Sequence, residues 1–145
     1  TAAGCCLLQP QGEGIGIAAA TFGRVQDYQV RDINNMGAAM APAAASTLLH
    51  YFADTHTEPQ EFDCIYTGDL GQVGSSLKSG GSGPGCCAAV LCGHILPRLL
   101  RRSQKRVLFV ATGALMSQTT FLQKESIPAV AHLVELRAPE KESGA

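Results

Sequence analysis

The chain has almost no net charge. Eleven Lys and Arg against twelve Asp and Glu leave a formal charge of -1 over 145 residues, so no global field gathers nucleic acid or an anionic membrane, and no nucleic-acid partner is expected. Long hydrophobic runs are also lacking: none approaches the roughly 20 residues that a membrane helix needs. The opening TAAGCCLLQPQG has no basic segment before a signal-like core, and the expectation is a soluble chain. No C-x-x-C pair with metal-finger spacing occurs among the six cysteines, no G-K-[ST] follows any glycine loop, and neither an internal repeat nor a low-complexity tract is present. Together these absences argue against a zinc finger, a P-loop nucleotide site and a solenoid. Metal and cofactor are both expected to be none.

What is present is apolar and lightly charged: 46% hydrophobic and 16% charged residues, enough to build the core of one globular unit. Cys5, Cys6, Cys64, Cys86, Cys87 and Cys92 are read as small buried hydrophobes, which implies a reducing compartment. Arg98, Arg101, Arg102, Lys105 and Arg106 are read as the solvated end of a helix, where cations suit the dipole.

Periodicity and punctuation give the plan of an α/β unit. Ala3 to Leu8 reads as a short strand closed by Pro10 and Gly12, and Gly14 to Phe22 as a second. The glycines at 12, 14 and 16 mimic a dinucleotide loop but lack the strand before and the helix after that such a loop requires. Met36 to Thr55 reads as helical in its second part, a helix over Pro42 to Asp54 with Pro42 in its first turn and Ala45, Leu48, Leu49 and Phe52 as the packing stripe at i, i+3, i+4 and i+7. Phe62 to Thr67 reads as a strand and Gly85 to Leu96 as a helix of small residues that Pro97 kinks or ends. Val107 to Ala111 is apolar on both faces, the pattern of a central strand covered by helices on each side. Ala129 to Arg137 is a further strand, and a polar tail follows from Pro139.

Chemistry is sought at turns. The loop Gly80-Gly81-Ser82-Gly83-Pro84-Gly85 precedes a helix, whose exposed amides and dipole make an anion cradle in principle; the bland alternative is a glycine loop that lets backbone pass closely. Cys86 or Cys87 at that helix start could be an activated thiol, but His94 lies about two turns along the helix. Asp69 and Thr112 each follow a strand, and carboxyl ends of strands border the ligand crevice of open α/β sheets. The candidate ligand-binding residues are therefore Asp69, Gly81, Ser82, Gly83, Cys86 and Thr112, with no catalytic residue assigned. Glu125 and Ser126, before Ile127-Pro128, are read as fixing a loop.

The segments TAAGCCLL, DINNMGAAMAPAAAST, FDCIYTGDLGQVGS, GGSGPGCCAAVLCGHIL, RVLFVATGALMS and QKESIPAVAHLVEL resemble successive stretches of the stage V sporulation protein AD family. The resemblance implies a thiolase-like fold in which two α/β halves stack as αβαβα. Residues 1–12 would then end the amino-terminal half, 13–138 would form the carboxyl-terminal half, a layered αβα unit with a mixed sheet, and 139–145 would be a flexible tail. Such a half carries another helix and strand between Thr67 and Gly85. A βαβ unit takes about 30 residues or more, so residues are expected to be missing from the chain near Leu77 and Lys78. The resemblance further implies binding of dipicolinic acid or its calcium complex for uptake into the developing spore, at the cytoplasmic face or periphery of the spore inner membrane. Implied partners are other SpoVA membrane proteins and either the missing amino-terminal half or a second copy of the chain. A thiolase or ketoacyl-synthase III-like condensing enzyme is the alternative activity, and a purely structural subunit of the transport complex is a third reading.

Overall fold

The computed structural model describes residues 4–68 and 86–140, with the backbone alone at Cys86. Four strands, β1 (Gly16–Thr21), β2 (Cys64–Thr67), β3 (Arg106–Ala114) and β4 (Ala129–Arg137), form one mixed sheet in the order β1-β4-β3-β2. β2 runs parallel to β3, and β4 is antiparallel to both β3 and β1. The chain is thus α/β, as its patterning requires, and the crossover from β2 to β3 passes through helix.

β3 confirms the reading of a strand buried on both faces. Leu108 and Val110 join Ala129, Ala131 and Leu133 of β4 beneath α1 (Met36–Thr55), whereas Val107 and Phe109 join Leu136, Ile95 and Leu99 on the opposite face. That opposite face is covered by one helical run in three parts: α2 (Cys86–Val90), a π turn (Leu91–Ile95) and α3 (Leu96–Leu100). Helices therefore cover both faces, and period-2 alternation sorts the strand residues between them.

Several expectations are corrected. Residues 4–8 form no strand and lie exposed. Pro42 sits inside α1, at its seventh residue, where the missing N–H is tolerated because packing holds the helix. The expected stripe on α1 is half right: Leu48 and Phe52 are half-buried against the core, but Leu49 is 70% exposed and Ala45 is exposed, while the fully buried residues are Gly37, Ala39, Ala43, Ala44, Thr47 and Tyr51. Small residues let the helix axis approach the sheet, and the two hydroxyls on that face find partners on β4. Thr47 donates to the carbonyl of Ala131 at 2.8 Å and Tyr51 to Glu135 at 2.5 Å. Pro97 neither ends the helix nor stands outside it. The preceding turn widens to π, with the Leu96 amide donating to the carbonyl of Leu91, a local adjustment of the kind that relieves a proline's clash with the preceding turn. Described cysteines are not buried: Cys5 and Cys6 are exposed, and Cys64, Cys87 and Cys92 are half-buried.

The basic cluster is not uniformly solvated either. Arg106 opens β3 and donates through Nε to Glu135 at 2.6 Å and through a terminal nitrogen to Glu61 at 3.2 Å, with its guanidinium 4.3 Å over the Phe62 ring. Arg137 adds a third donor to Glu135 at 2.7 Å. Burial alone would raise the Glu135 carboxyl, but hydrogen bonds from Arg106, Tyr51 and Arg137 outweigh it and hold the group at about 2. The same burial, followed by the bond to Glu135, pushes Tyr51 up to about 12. Asp63 anchors the neighbouring turn by accepting from the amides of Lys105 and Arg106 at 2.6 and 2.9 Å, bonds that lower its carboxyl.

The Glu135 network sets an acid limit on stability. Its folded value lies below the ordinary carboxylate range, so the unfolded chain binds the extra proton and the stabilisation present above about pH 4.5 is lost as pH falls towards 2. Equilibrium unfolding in urea should show a steep loss over that window in the wild type and a shallower one in Glu135→Gln. Arg106→Met should cost on the order of 3 kcal/mol at pH 7 by leaving a buried carboxylate short of a cation; a loss below about 0.5 kcal/mol would assign the network a peripheral role.

Candidate functional site

Parallel pairing of Thr67 with Val110 brings the carboxyl ends of β2 and β3 to the same edge of the sheet. The chain leaves β2 at Gly68, which is buried and whose amide donates to the Val110 carbonyl at 2.7 Å. A side chain cannot be accommodated there without movement: a β-carbon on Gly68 would lie 2.9 Å from Thr112 Oγ1 and 3.2 Å from Cys87 Sγ. Thr112 of β3, the exit of β2 and the first turn of α2 thus meet at one point. Ligands of open α/β sheets bind in the crevice outside such strand ends.

Of the six sequence-selected residues, Thr112 is placed at this junction, but inside β3 and opposite Ala131 of β4 rather than in a turn after the strand, because antiparallel pairing with β4 carries β3 on to Ala114. Asp69, next in the chain after Gly68, lies outside the described residues, as do Gly81, Ser82 and Gly83; Cys86 opens α2, with its side chain outside the description. Cys87, named only as an alternative thiol, is the cysteine seen at the junction. His94 presents its ring edge-on to Tyr66, with centroids 6.3 Å apart, and the His132 Nδ1 accepts from the Gly23 amide at 3.2 Å. Among the described residues, no group of three or more His, Cys, Asp or Glu is gathered as a metal site would need.

The same sheet edge carries a second feature that sequence reasoning did not find. The connection from β3 to β4, which includes α4 (Gln118–Leu122), meets the segment before α1 around a cavity of about 220 Å³. Ile33, Met116, Phe121 and Ile127 give it apolar walls, and Arg31, Lys124 and Glu125 put charges of both signs at its margin. It is smaller than the roughly 300–1,000 Å³ of typical ligand pockets. Ser126 fixes this loop as expected, donating to Asp27 Oδ2 at 2.6 Å; that bond, then the Gln29 amide, lowers the Asp27 carboxyl. Backbone bonds from Ile127 to Val30 and from Leu115 to Pro128 complete the seam. No periodicity links Arg31 to Lys124, so the cavity has no signature along the chain.

Comparison with known proteins follows the whole described fold. The family model described as Stage V sporulation protein AD (SpoVAD) matches residues 1–79 and 75–137. The stage V sporulation protein AD of Bacillus subtilis (strain 168) is 36% identical over 162 aligned residues, covering 91% of this chain and 48% of the relative. The chain therefore spans about half the length of that relative. The aligned length also exceeds the chain's own 145 residues, so the alignment carries gaps opposite this chain.

The strand-end junction makes its own prediction. Gly68→Ala should cost about 1–3 kcal/mol by overpacking, and Thr112→Ala in the same chain should recover part of that loss because it removes the nearest atom. Urea unfolding of the two single variants and the double variant measures the coupling. Additive losses would mean that Gly68 and Thr112 do not share the space.

Proposed function

The chain belongs to the stage V sporulation protein AD family, and from that premise we propose that it is a non-catalytic binding protein for dipicolinic acid or its calcium complex, acting in uptake of that ligand into the developing spore. The observation that supports this reading of the site is the meeting of Gly68, just after β2, with Thr112 inside β3 and Cys87 of α2. A planar, doubly charged ligand needs anion donors beside a flat apolar slot. Backbone amides from Ser82 to Cys86 would supply the donors, and the strand ends would supply the slot.

This reading extends to the setting. The sheet with helices on both faces supports one half of a thiolase-like fold, its second half supplied by further chain or by a second copy. Exposed apolar side chains including Leu7, Leu8, Phe22, Val25 and Leu122 support covering by more protein, and an obligate contact would bury about 2,000 Å² or more. No helix among the described residues is long and apolar enough to cross a membrane, so attachment to the periphery of the spore inner membrane would run through other SpoVA proteins. The two-part family match, meeting at residues 75–79, and the aligned length support a deletion near Leu77 and Lys78 in the crossover after β2.

The condensing-enzyme alternative asks for a cysteine and a histidine acting together. His94 lies edge-on to Tyr66 and His132 accepts from the Gly23 amide, and both histidines are exposed.

Titration calorimetry with dipicolinate, in calcium and in chelator, tests the proposal. Gly83→Val should weaken binding about tenfold or more, a change of about 1.4 kcal/mol, while Cys86→Ser should leave it within about twofold. Unchanged binding by a folded valine variant would remove the loop from the site. An acyl-transfer activity lost in the serine variant would replace the binding reading with the enzyme.

A further inference from the structure

Residues 4–9 have no regular structure, yet they lie against the helix that borders the strand ends. A β-carbon on Gly4 would fall 2.6 Å from Cys92 Sγ and 2.9 Å from the carbonyl oxygen of Ala88, so the backbone of this segment passes directly over the helix surface. Two residues further on, Cys6 Sγ stands 3.7 Å from Cys92 Sγ, although the two cysteines are 86 positions apart in sequence. Both are free thiols; Cys6 is exposed and Cys92, within the π turn, is half-buried. A disulfide needs its sulfurs about 2.05 Å apart, which asks the unstructured segment to move by less than two bond lengths. No other contact between described cysteine side chains has this proximity.

We propose that Cys6 and Cys92 form a reversible disulfide that clamps residues 4–9 onto the helical run Cys86–Leu100. The oxidant is a low-molecular-weight disulfide. Exposed Cys6, as thiolate, attacks one of its sulfurs, breaking the S–S bond, forming a mixed disulfide and releasing one small thiol. Cys92, as thiolate, then attacks the Cys6 sulfur and displaces the second small thiol. Two protein thiols are oxidised, one small disulfide is reduced to two thiols, and the two protons lost by the cysteines end on those thiols. The hydrogen bond with Cys92, then desolvation, raises the Cys6 thiol above its ordinary value, so the first attack should speed up as pH rises and the thiolate fraction grows. The clamp depends only on these two sulfurs and is independent of the ligand assigned to the strand ends.

Oxidised glutathione is the probe. After incubation and digestion without reduction, mass spectrometry should find Cys6 linked to Cys92 with loss of two hydrogen atoms, and dithiothreitol should release the link. Cys6→Ser and Cys92→Ser should each abolish it, whereas Cys5→Ser should leave it intact. Closing so long a loop should raise the thermal midpoint by about 5 °C or more, reversibly with reductant. Glutathione adducts alone, a link made through Cys5, or a linked product with an unshifted midpoint would each overturn the clamp.

Discussion

A single carboxylate ties the layers together. Glu135 is 2% exposed and accepts from Tyr51 on α1, Arg106 on β3 and Arg137 on β4 itself. A buried charge is tolerable only when it is paired and hydrogen-bonded, so the position of each donor is constrained by the others. Tyr51 fixes the carboxyl-terminal part of α1 over the sheet, and Arg106 fixes the start of β3 and, through Glu61 and the Phe62 ring, the entry to β2. With both strands held in register at that end, their opposite ends arrive together at Gly68 and Thr112.

The two features at the strand-end edge differ in construction. At Gly68 the backbone is packed in the interior, where Thr112 and Cys87 leave no room for a β-carbon. The cavity near Arg31 is instead a seam between two connections, closed by the Ser126 to Asp27 bond and by the backbone bonds of Leu115 and Ile127. The Gly68 amide is already engaged with the Val110 carbonyl, whereas the seam offers charges of both signs at its margin.

Among residues that the chain's patterning did select, the reasons for success and failure separate cleanly. Ala129–Arg137 has the expected extent, whereas the helix expected from Pro42 begins at Met36, because periodicity shows an element's type but a proline suited to a first turn does not fix its start. The packing face of α1 was misjudged because larger side chains were favoured over small ones, whereas close helix-to-sheet approach selects Ala43, Ala44 and two hydroxyls with β4 partners. Of the two outcomes expected at Pro97, a kink or an end, the helix does not end: a π turn upstream distorts it locally and it continues to Leu100. Arg106 looked like part of a solvated helix end, since nothing near it in sequence announces Glu135.

By itself the sequence determined the α/β class, the double-sided burial of β3 and membership in a family, all of which rest on local periodicity or on strings of adjacent residues, while the expected strand near Ala3 to Leu8 and the unexpected helix Gln118–Leu122 show where short segments mislead. Tertiary structure decided which sides of those elements meet. Strand order, the antiparallel placement of β4, the Glu135 network, the Gly68 to Thr112 junction and the approach of Cys6 to Cys92 each join residues tens of positions apart. Such contacts are set by hydrogen-bond register and by the space left between packed side chains, quantities that exist only once the chain has closed on itself.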